Sequence, residues 1–340
     1  MRMTVLASGS KGNSTVVASA RTTVLVDAGL SCRELLKRMA QAGEDPARLD
    51  AILITHEHQD HVAGLSVLAR RLKIPVYFTE PTHRAWVRML TPRTTMSYAK
   101  WLDHVQQEKQ ARAAAVAGLA AAADLSTELG DDLTRSRDHE LGAELPLDPT
   151  LCDPDEAEAA AADAAPAAKP DPTALPAVEY FRSGANFSIG DIDISPFTIP
   201  HDAADPCGFV FAAEGMRMAV ATDLGYMPPN VKAALKRIDV LLLESNHDLE
   251  MLKDGPYPWS VKQRVRSRVG HLSNHDTAEF LARDYDGGAA WIVLGHLSEA
   301  NNAPELALLS AEQAIGGRMS LLGNRVLLAR QEAPLAPICV

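Results

Sequence analysis

The 340-residue chain is predicted to have an α/β (α+β) fold, because strand-like and helix-like segments alternate along most of its length. Several apolar runs of strand length also end in a histidine or an aspartate. Strands are predicted at 3–27 (as β-hairpins), 74–78, 187–199, 207–213, 216–222 and 239–244. Helices are predicted at 32–41, 62–73, 229–236, 260–269, 276–283 and 304–314.

Each element rests on a local pattern. Residues 52–54 and 218–221 are short, continuous apolar runs typical of buried strands. Residues 32–41 and 62–73 instead repeat their apolar residues at helical spacing. Pro75 cannot donate a ladder hydrogen bond, so the 74–78 strand is predicted at a sheet edge.

The most informative motif is THEHQDH, from Thr55 to His61. It follows an apolar run, and alternate residues of an extended segment point the same way, so His56 and His58 can reach one metal ion. Asp60 and His61 come where a helix should begin and can face a second metal. Imidazole and carboxylate suit zinc, and also manganese or iron, at reactive sites. A surface loop merely rich in His and Asp is the alternative, and the ligand spacing disfavours it.

This His-x-His-x-Asp-His spacing resembles the signature of the metallo-β-lactamase superfamily, and the resemblance extends over most of the chain. It implies an αββα four-layer sandwich, in which two sheets pack face to face and helices cover both outer faces. Ligands from loops at one edge would then converge between the sheets. Loops carry chemistry while the scaffold positions them, which is consistent with this arrangement.

The resemblance also implies the remaining ligands. His201, after a strand-like stretch, would complete the first metal's set with His56 and His58. Asp223 would bridge both metals, and His296 would join Asp60 and His61 on the second. Asp27, in an early strand that ends in Asp-x-Gly, would hold the histidine loop in place from behind the ligands.

A closer resemblance is to the YycJ/WalJ branch of the superfamily, over residues 1–100 and 179–325. It rests on five motifs: LASGSKGNS from Leu6, HDA from His201, ESNHD from Glu244, GHLSN from Gly270 and HLSEANN from His296. Members of this branch are bacterial, cytoplasmic, dinuclear metal hydrolases, and the better-understood ones are DNA exonucleases. The resemblance therefore implies a cytoplasmic nuclease that acts on DNA.

Asp60 and His271 are the catalytic candidates. In ribonuclease Z-like relatives, a histidine at a position corresponding to His271 donates a proton or a hydrogen bond to the scissile phosphate. A histidine that only caps a helix is the alternative, and His271 could also compete with His296 as a metal ligand. His296 is preferred as the ligand because it ends a strong apolar strand.

The loop near the N-terminus is predicted to bind a substrate phosphate through Ser10, Lys11 and Asn13, because loop N–H groups with a lysine form an anion site. A basic run immediately precedes His271 and would attract a phosphodiester backbone. Its alternative is a solvated helix face. The run comprises Lys262, Arg264, Arg266 and Arg268.

The composition changes from 103 to 178, where an insert rich in alanine, proline and aspartate interrupts the predicted domain formed by 1–102 and 179–340. It buries too little apolar surface to offset its ordering entropy, so it is predicted to be partly helical or disordered. A surface insertion is the preferred interpretation; an arm that binds a partner protein is the alternative.

The insert also explains the acidic charge. Residues 101–180 hold five Lys and Arg against 17 Asp and Glu, a net −12, while the whole chain carries −11. The remaining residues therefore carry about +1, which is compatible with a nucleic-acid substrate. No apolar run approaches the ~20 residues that span a bilayer, so no membrane association is expected. The four cysteines form no Cys-x-x-Cys pair, so no cysteine zinc site is expected.

The sequence thus predicts a dinuclear metal hydrolase, with Zn, Mn or Fe, in which a metal-activated hydroxide attacks a DNA phosphodiester. A small-molecule ester, thioester or lactam hydrolase on the same fold is the alternative, since fold alone does not determine function. A metal-binding regulatory protein is the third hypothesis, and the complete ligand set argues against it. The oligomeric state cannot be inferred from the sequence.

The insert hypothesis predicts that replacing residues 105–176 with a short Gly/Ser linker leaves the fold and metal binding intact, because such a segment adds little to the core. Circular dichroism and metal analysis of the shortened protein would measure this. A shortened protein that does not fold would show that the segment is part of the core.

Overall fold

The structure is a computed structural model that describes residues 1–91, 171–316 and 323–340. Its described strands form two seven-stranded sheets. The first has the order β14-β1-β2-β3-β4-β5-β6, and its strands are Ile338–Cys339, Arg2–Ala7, Ser14–Ala18, Thr23–Val26, Ala51–Leu53, Val76–Phe78 and Val178–Tyr180. The second has the order β13-β12-β11-β10-β9-β8-β7, and its strands are Arg325–Leu328, Trp291–Gly295, Val240–Glu244, Met216–Ala221, Cys207–Ala213, Ile192–Thr198 and Phe187–Ile189.

Both sheets change from antiparallel to parallel pairing part-way across. In the first sheet β14, β1, β2 and β3 pair antiparallel, and β3 to β6 pair parallel. In the second, β7 to β10 pair antiparallel, and β10 to β13 pair parallel. The parallel strands bring several carboxyl ends to the same edge of each sheet.

The core has three apolar layers, set by alternation along the strands. Val24 and Val26 of β3 pack between the sheets, whereas Leu25 packs against helices on the outer face. On the second sheet Leu242 faces the other sheet, and its neighbours Leu241 and Leu243 face the helices of that side. The predicted αββα sandwich is confirmed.

The helices lie on the outer faces. They are α1 Cys32–Ala42, α2 Gln59–Val62, α3 Leu65–Leu72, α4 Glu80–Leu90, α5 Pro229–Ala234, α6 Leu249–Asp254, α7 Trp259–Val265, α8 Asn274–Arg283 and α9 Pro304–Gly316. Helix α1 shows how local chemistry sets a boundary. The Ser31 side chain accepts a hydrogen bond from the Glu34 N–H, and the helix ends at Gly43 in the left-handed conformation, with φ of 74°. No helix within the described ranges is long and apolar enough to cross a membrane.

The predicted edge position of the 74–78 strand is wrong. Strand β5 lies between β4 and β6 and pairs with both. Pro75 is tolerated because the strand begins one residue later, and the proline contributes only its carbonyl, which accepts a hydrogen bond from the Ile52 N–H. Within the predicted insert, 103–170 lie outside the described residues.

Candidate metal centre

The predicted site residues lie in loops that follow strands of both sheets. The Thr55–His61 loop follows β4, Asp27 follows β3 and His201 follows β8, while Asp223 and His296 follow β10 and β12. Helix α2 begins at Gln59, so His56 and His58 lie on extended chain and Asp60 and His61 on the first turn of the helix. This is the local arrangement that the spacing predicted.

Asp27 holds the histidine loop. Its carboxylate accepts hydrogen bonds from the Thr55 N–H at 2.9 Å and from the Thr55 hydroxyl at 2.8 Å. The same carboxylate lies 2.8 Å from Nδ1 of His61. Since Nδ1 is bound there, Nε2 of His61 is directed towards the other ligand-type side chains.

One group of nitrogen atoms comes from His56, His58 and His201, with one atom from each lying within 4.8 Å of the others. Nε2 of His201 lies 3.2 Å from Nδ1 of His58, while Nδ1 of His201 lies 3.1 Å from the Gly270 carbonyl oxygen. Nε2 of His56 is buried and has no hydrogen-bond partner among the described residues. An unpartnered buried nitrogen beside two other imidazoles fits a metal ion.

A second group comes from Asp60, His61 and His296, whose ligand atoms again lie within 4.8 Å of one another. Oδ2 of Asp60 lies 3.4 Å from Nε2 of His61 and 3.6 Å from Nε2 of His296. Asp60 is the most exposed of the three, with a side chain 22% exposed, and the two histidines are buried.

Asp223 lies between the two groups. One of its oxygens is 3.4 Å from Nε2 of His61, and the other is 3.7 Å from Nε2 of His201 and 3.0 Å from Nδ1 of His296. Its side chain is buried, and Oδ2 has no hydrogen-bond partner among the described residues. A carboxylate in this position can contact an ion in either group.

Three of these loops begin in a strained conformation. Asp27, Asp223 and His296 have φ of 61°, 63° and 54°, in the left-handed region. Asp and His tolerate this region better than most residues, but it still costs on the order of 1 kcal/mol or more at each position. Such strain turns the chain sharply where its side chain must enter the site.

Electrostatics separates the imidazoles. Burial lowers the pKa of His56 and of His201, which favours the neutral form that binds metals. Burial acts in the same direction on His61, but the carboxylates around it outweigh burial and raise its pKa well above the ordinary value. Burial alone would raise the pKa of Asp223, yet attraction to His296 and His61 brings it well below its usual range.

His271 lies beside both groups. Its ring centre is 5.1 Å from that of His201 and 5.1 Å from that of His296. Nδ1 of His271 is 2.8 Å from Oε1 of Glu244, and its side chain is 22% exposed. Glu244 therefore orients the ring and leaves Nε2 as the nitrogen that can meet a ligand.

The three residues of the predicted phosphate loop differ in burial and in what they contact. Asn13 is buried, and its amide lies 3.1 Å from Oδ2 of Asp60, so this residue contacts the Thr55–His61 loop, called the metal loop below. Ser10 and Lys11 are exposed, and Nζ of Lys11 lies 2.9 Å from Oε2 of Glu299. The backbone at Gly29 packs closely against the Asp60 carbonyl. A Cβ at Gly29 would lie 1.7 Å from that oxygen, so only glycine fits there.

Two arginines of the basic run form contacts within the protein. Nε of Arg264 lies 2.5 Å from the carboxylate of Asp202, the residue after His201. The Arg268 guanidinium lies 4.4 Å from the centre of the Tyr226 ring, a cation–π contact. Arg266 is exposed.

Residues 7–283 match the metallo-beta-lactamase superfamily. The chain belongs to this superfamily.

Three relatives of this superfamily member are informative. It is 31% identical over 306 residues to an exodeoxyribonuclease, WalJ, of Streptococcus pneumoniae (strain D39), covering 90% of this chain and 85% of the relative. It is 31% identical over 315 residues to the exodeoxyribonuclease YycJ of Bacillus anthracis, covering 93% and 89%. The crystal structure of the metallo-beta-lactamase fold protein YhfI from Bacillus subtilis superposes with a TM-score of 0.56 at 13% identity and covers 98% of both chains, which supports the fold.

Divalent metal ions are the cofactors of this superfamily member. The donor set of imidazoles and carboxylates fits such ions, as do the unpartnered buried atoms of His56 and Asp223.

Sequence reasoning assigned no role to Glu244, although the structure brings it into the centre. Glu244 is fully buried, and its second oxygen accepts hydrogen bonds from the N–H groups of Leu224 and Leu272 at 2.5 and 3.2 Å. Burial alone would raise its pKa, but the nearby His271 and His296 outweigh burial and lower it to about 2. An acidic residue that ends the buried strand VLLLE was the available signal.

The Asp27 contacts predict that Asp27→Asn weakens metal binding about 10- to 100-fold without unfolding the protein, because an amide orients His61 less well. Competition with a chromophoric chelator would measure the affinity. Thr55→Val is the comparison variant: it removes the hydroxyl that contacts Asp27, His56 and His61 but keeps the Asp27 carboxylate on His61, so it should have a smaller effect. Equal metal affinity in Asp27→Asn and the wild type would contradict this role.

Proposed function

We propose that the chain is a dinuclear metal-dependent phosphodiesterase that acts on DNA as an exonuclease. The observation that carries the proposal is the position of Asp223 between the two ligand groups. Its carboxylate oxygens lie 3.0–3.7 Å from ring nitrogens of histidines in both groups. The exodeoxyribonuclease relatives, which match 90% or more of this chain at 31% identity, support DNA as the substrate.

The metal ligands divide into two sets. His56, His58 and His201 would hold the first ion, Asp60, His61 and His296 would hold the second, and Asp223 could contact either. Zinc and manganese suit this set best, and iron is a third candidate. When bound, such ions stabilise charge on a phosphoryl oxygen and lower the pKa of water towards ~7.

His271 is the proton donor to the leaving oxygen. Its Nδ1 is held by the Glu244 carboxylate, which orients the ring and leaves Nε2 to face the substrate. Its partial exposure, 22%, is compatible with a group that contacts substrate. Asp60 would serve as a ligand, and its partly exposed carboxylate could also orient the attacking water.

Substrate phosphate is held at the rim by Lys11, with Ser10 beside it. The Lys11–Glu299 pair is exposed and therefore weak, so a phosphate can displace Glu299. Asn13 acts indirectly: its amide contacts the Asp60 carboxylate and so positions that residue, not the phosphate. Of the basic run, Arg266 is exposed, while Arg264 ties α7 to the His201 loop. The enzyme acts in the cytoplasm, where its DNA substrate is found.

The dinuclear assignment predicts about two metal ions per chain, and Asp60→Ala with His61→Ala should retain about one. The first group keeps its three imidazoles in that variant, whereas the second loses two of its three ligands. Inductively coupled plasma mass spectrometry after dialysis would count the ions. A single ion in fully loaded wild-type protein would overturn the assignment.

His271 and His296 should differ in what their loss removes. His271→Ala should keep both metals and lose ~10²–10⁴-fold in kcat, because only proton donation is removed. His296→Ala should lose metal from the second set. His275→Ala, an exposed histidine on the neighbouring helix, is the control. The reverse pattern would mean that the two roles are exchanged.

The substrate is tested with metal-loaded protein on end-labelled DNA, on RNA and on chromogenic ester and lactam substrates. DNA should be digested from an end, and affinity should fall steeply with salt because bound phosphates release counterions. Lys11→Ala with Arg266→Gln should lower the salt slope by roughly 0.7–0.9 per lost contact and leave metal content unchanged. Arg283→Gln, remote from the centre on α8, should change neither. Turnover of an ester or lactam without nucleic-acid cleavage would replace the nuclease proposal.

A further inference from the structure

A groove of about 740 Å³ runs beside α4, outside the metal centre. It is lined by the exposed side of α4 from Glu80 to Arg88, by Tyr180 of β6 and by Ala204. The volume falls in the range of small-molecule sites, about 300–1,000 Å³, so a nucleotide can be accommodated. The lining combines an aromatic ring with two arginines, and neither contributes to the apolar core.

The aromatic side of the groove is pre-organised. His83 stacks against both Phe78 and Trp86, with ring centres 4.9 and 5.8 Å away, and those two rings also lie against each other. Burial lowers the pKa of His83, so its Nδ1 can accept a hydrogen bond, and the Tyr180 hydroxyl lies 2.8 Å from it. Tyr180 is nevertheless 57% exposed. A large ring that is fixed at one end and open to solvent is a stacking surface.

The other side of the groove is cationic. Arg84 and Arg88 are one helical turn apart on α4, and both are exposed. Arg84 pairs with Glu80, but both side chains are more than half exposed, so this pair contributes little and an anion can replace it.

The groove borders the metal loop. The Ala204 N–H donates a hydrogen bond to Oε1 of Glu57 at 2.9 Å, and Glu57 lies between His56 and His58. The Thr82 hydroxyl donates to the Asp205 carbonyl at 3.3 Å, which joins α4 to the loop that begins with His201. Ala204 is three residues after His201, so its Cα lies within ~11 Å of that ligand's Cα.

We propose that the α4 groove binds single-stranded DNA next to the bond that is cut, with one base stacked on Tyr180 and the adjacent phosphates held by Arg84 and Arg88. The inference rests on the proposed nuclease function and names the form of its substrate. An aromatic face beside arginines is the recognition chemistry of single strands. A base inside a duplex has both faces covered by its neighbours and cannot stack on Tyr180, so the strand is unpaired in the groove.

The test compares kcat/KM for an eight-nucleotide single strand with that for a dinucleotide in the metal-loaded enzyme. The wild type should prefer the longer substrate, and Tyr180→Ala should lower that preference about 5- to 100-fold, as expected for one lost base stack. Tyr180→Phe keeps the ring and should retain most of the preference. A 2-aminopurine within three nucleotides of the cut should be quenched by the wild type and not by Tyr180→Ala.

The arginines are tested in parallel. Arg84→Gln with Arg88→Gln should lower the salt slope of single-strand binding by roughly 0.7 per lost contact. Arg283→Gln is the matched control, because it removes an equally exposed arginine from an i,i+4 pair with Glu279 and should leave the slope unchanged. Metal content and melting temperature show that each variant is folded.

The outcomes separate the inference from the function on which it rests. If the wild type digests DNA but Tyr180→Ala and the double arginine variant keep the wild-type length preference and salt slope, the groove is not the strand site, although the nuclease remains. If the wild type cuts no DNA of any length, the proposed function fails, and this inference fails with it. If Tyr180→Phe lost as much of the length preference as Tyr180→Ala, the hydroxyl and not stacking would be responsible.

Discussion

Burying charged ligands between two sheets is the constraint on which the rest of this structure depends. An isolated carboxylate or imidazolium taken out of water costs several kcal/mol, so each must find a partner before the fold is stable. Asp223 meets this requirement through His61 and His296, and Asp27 through His61 and Thr55. Removing one member leaves a buried neighbour without its partner.

The sandwich supplies positions where such a unit can assemble. Parallel strands from each sheet direct their carboxyl ends to one edge, and the apolar layers keep those ends in place. Left-handed residues at Asp27, Asp223 and His296 turn the chain into the site immediately after three of those strands. The strain is tolerated because the adjacent strands are fully paired and buried.

Polar groups behind the candidate ligands give the imidazoles their direction. Asp27 binds Nδ1 of His61, the Gly270 carbonyl lies against Nδ1 of His201, and Glu244 lies against Nδ1 of His271. In each case one ring nitrogen is engaged by the protein and the other is left for a ligand. In the α4 groove the His83 ring is also held in place, because it stacks on Phe78 and Trp86 and its Nδ1 contacts Tyr180.

The sequence by itself determined the fold class, the family and the types of candidate ligand. Alternate spacing at His56 and His58, and the ends of apolar runs at Asp223 and His296, are local signals that depend only on strand geometry. Tertiary structure alone decided which side chains meet. Glu244 contacts His271 across 27 residues, Tyr180 contacts His83 across 97, and β5 lies inside its sheet despite Pro75. Those contacts depend on strand order and on close packing between distant segments. Neither can be inferred from the local periodicity of the sequence.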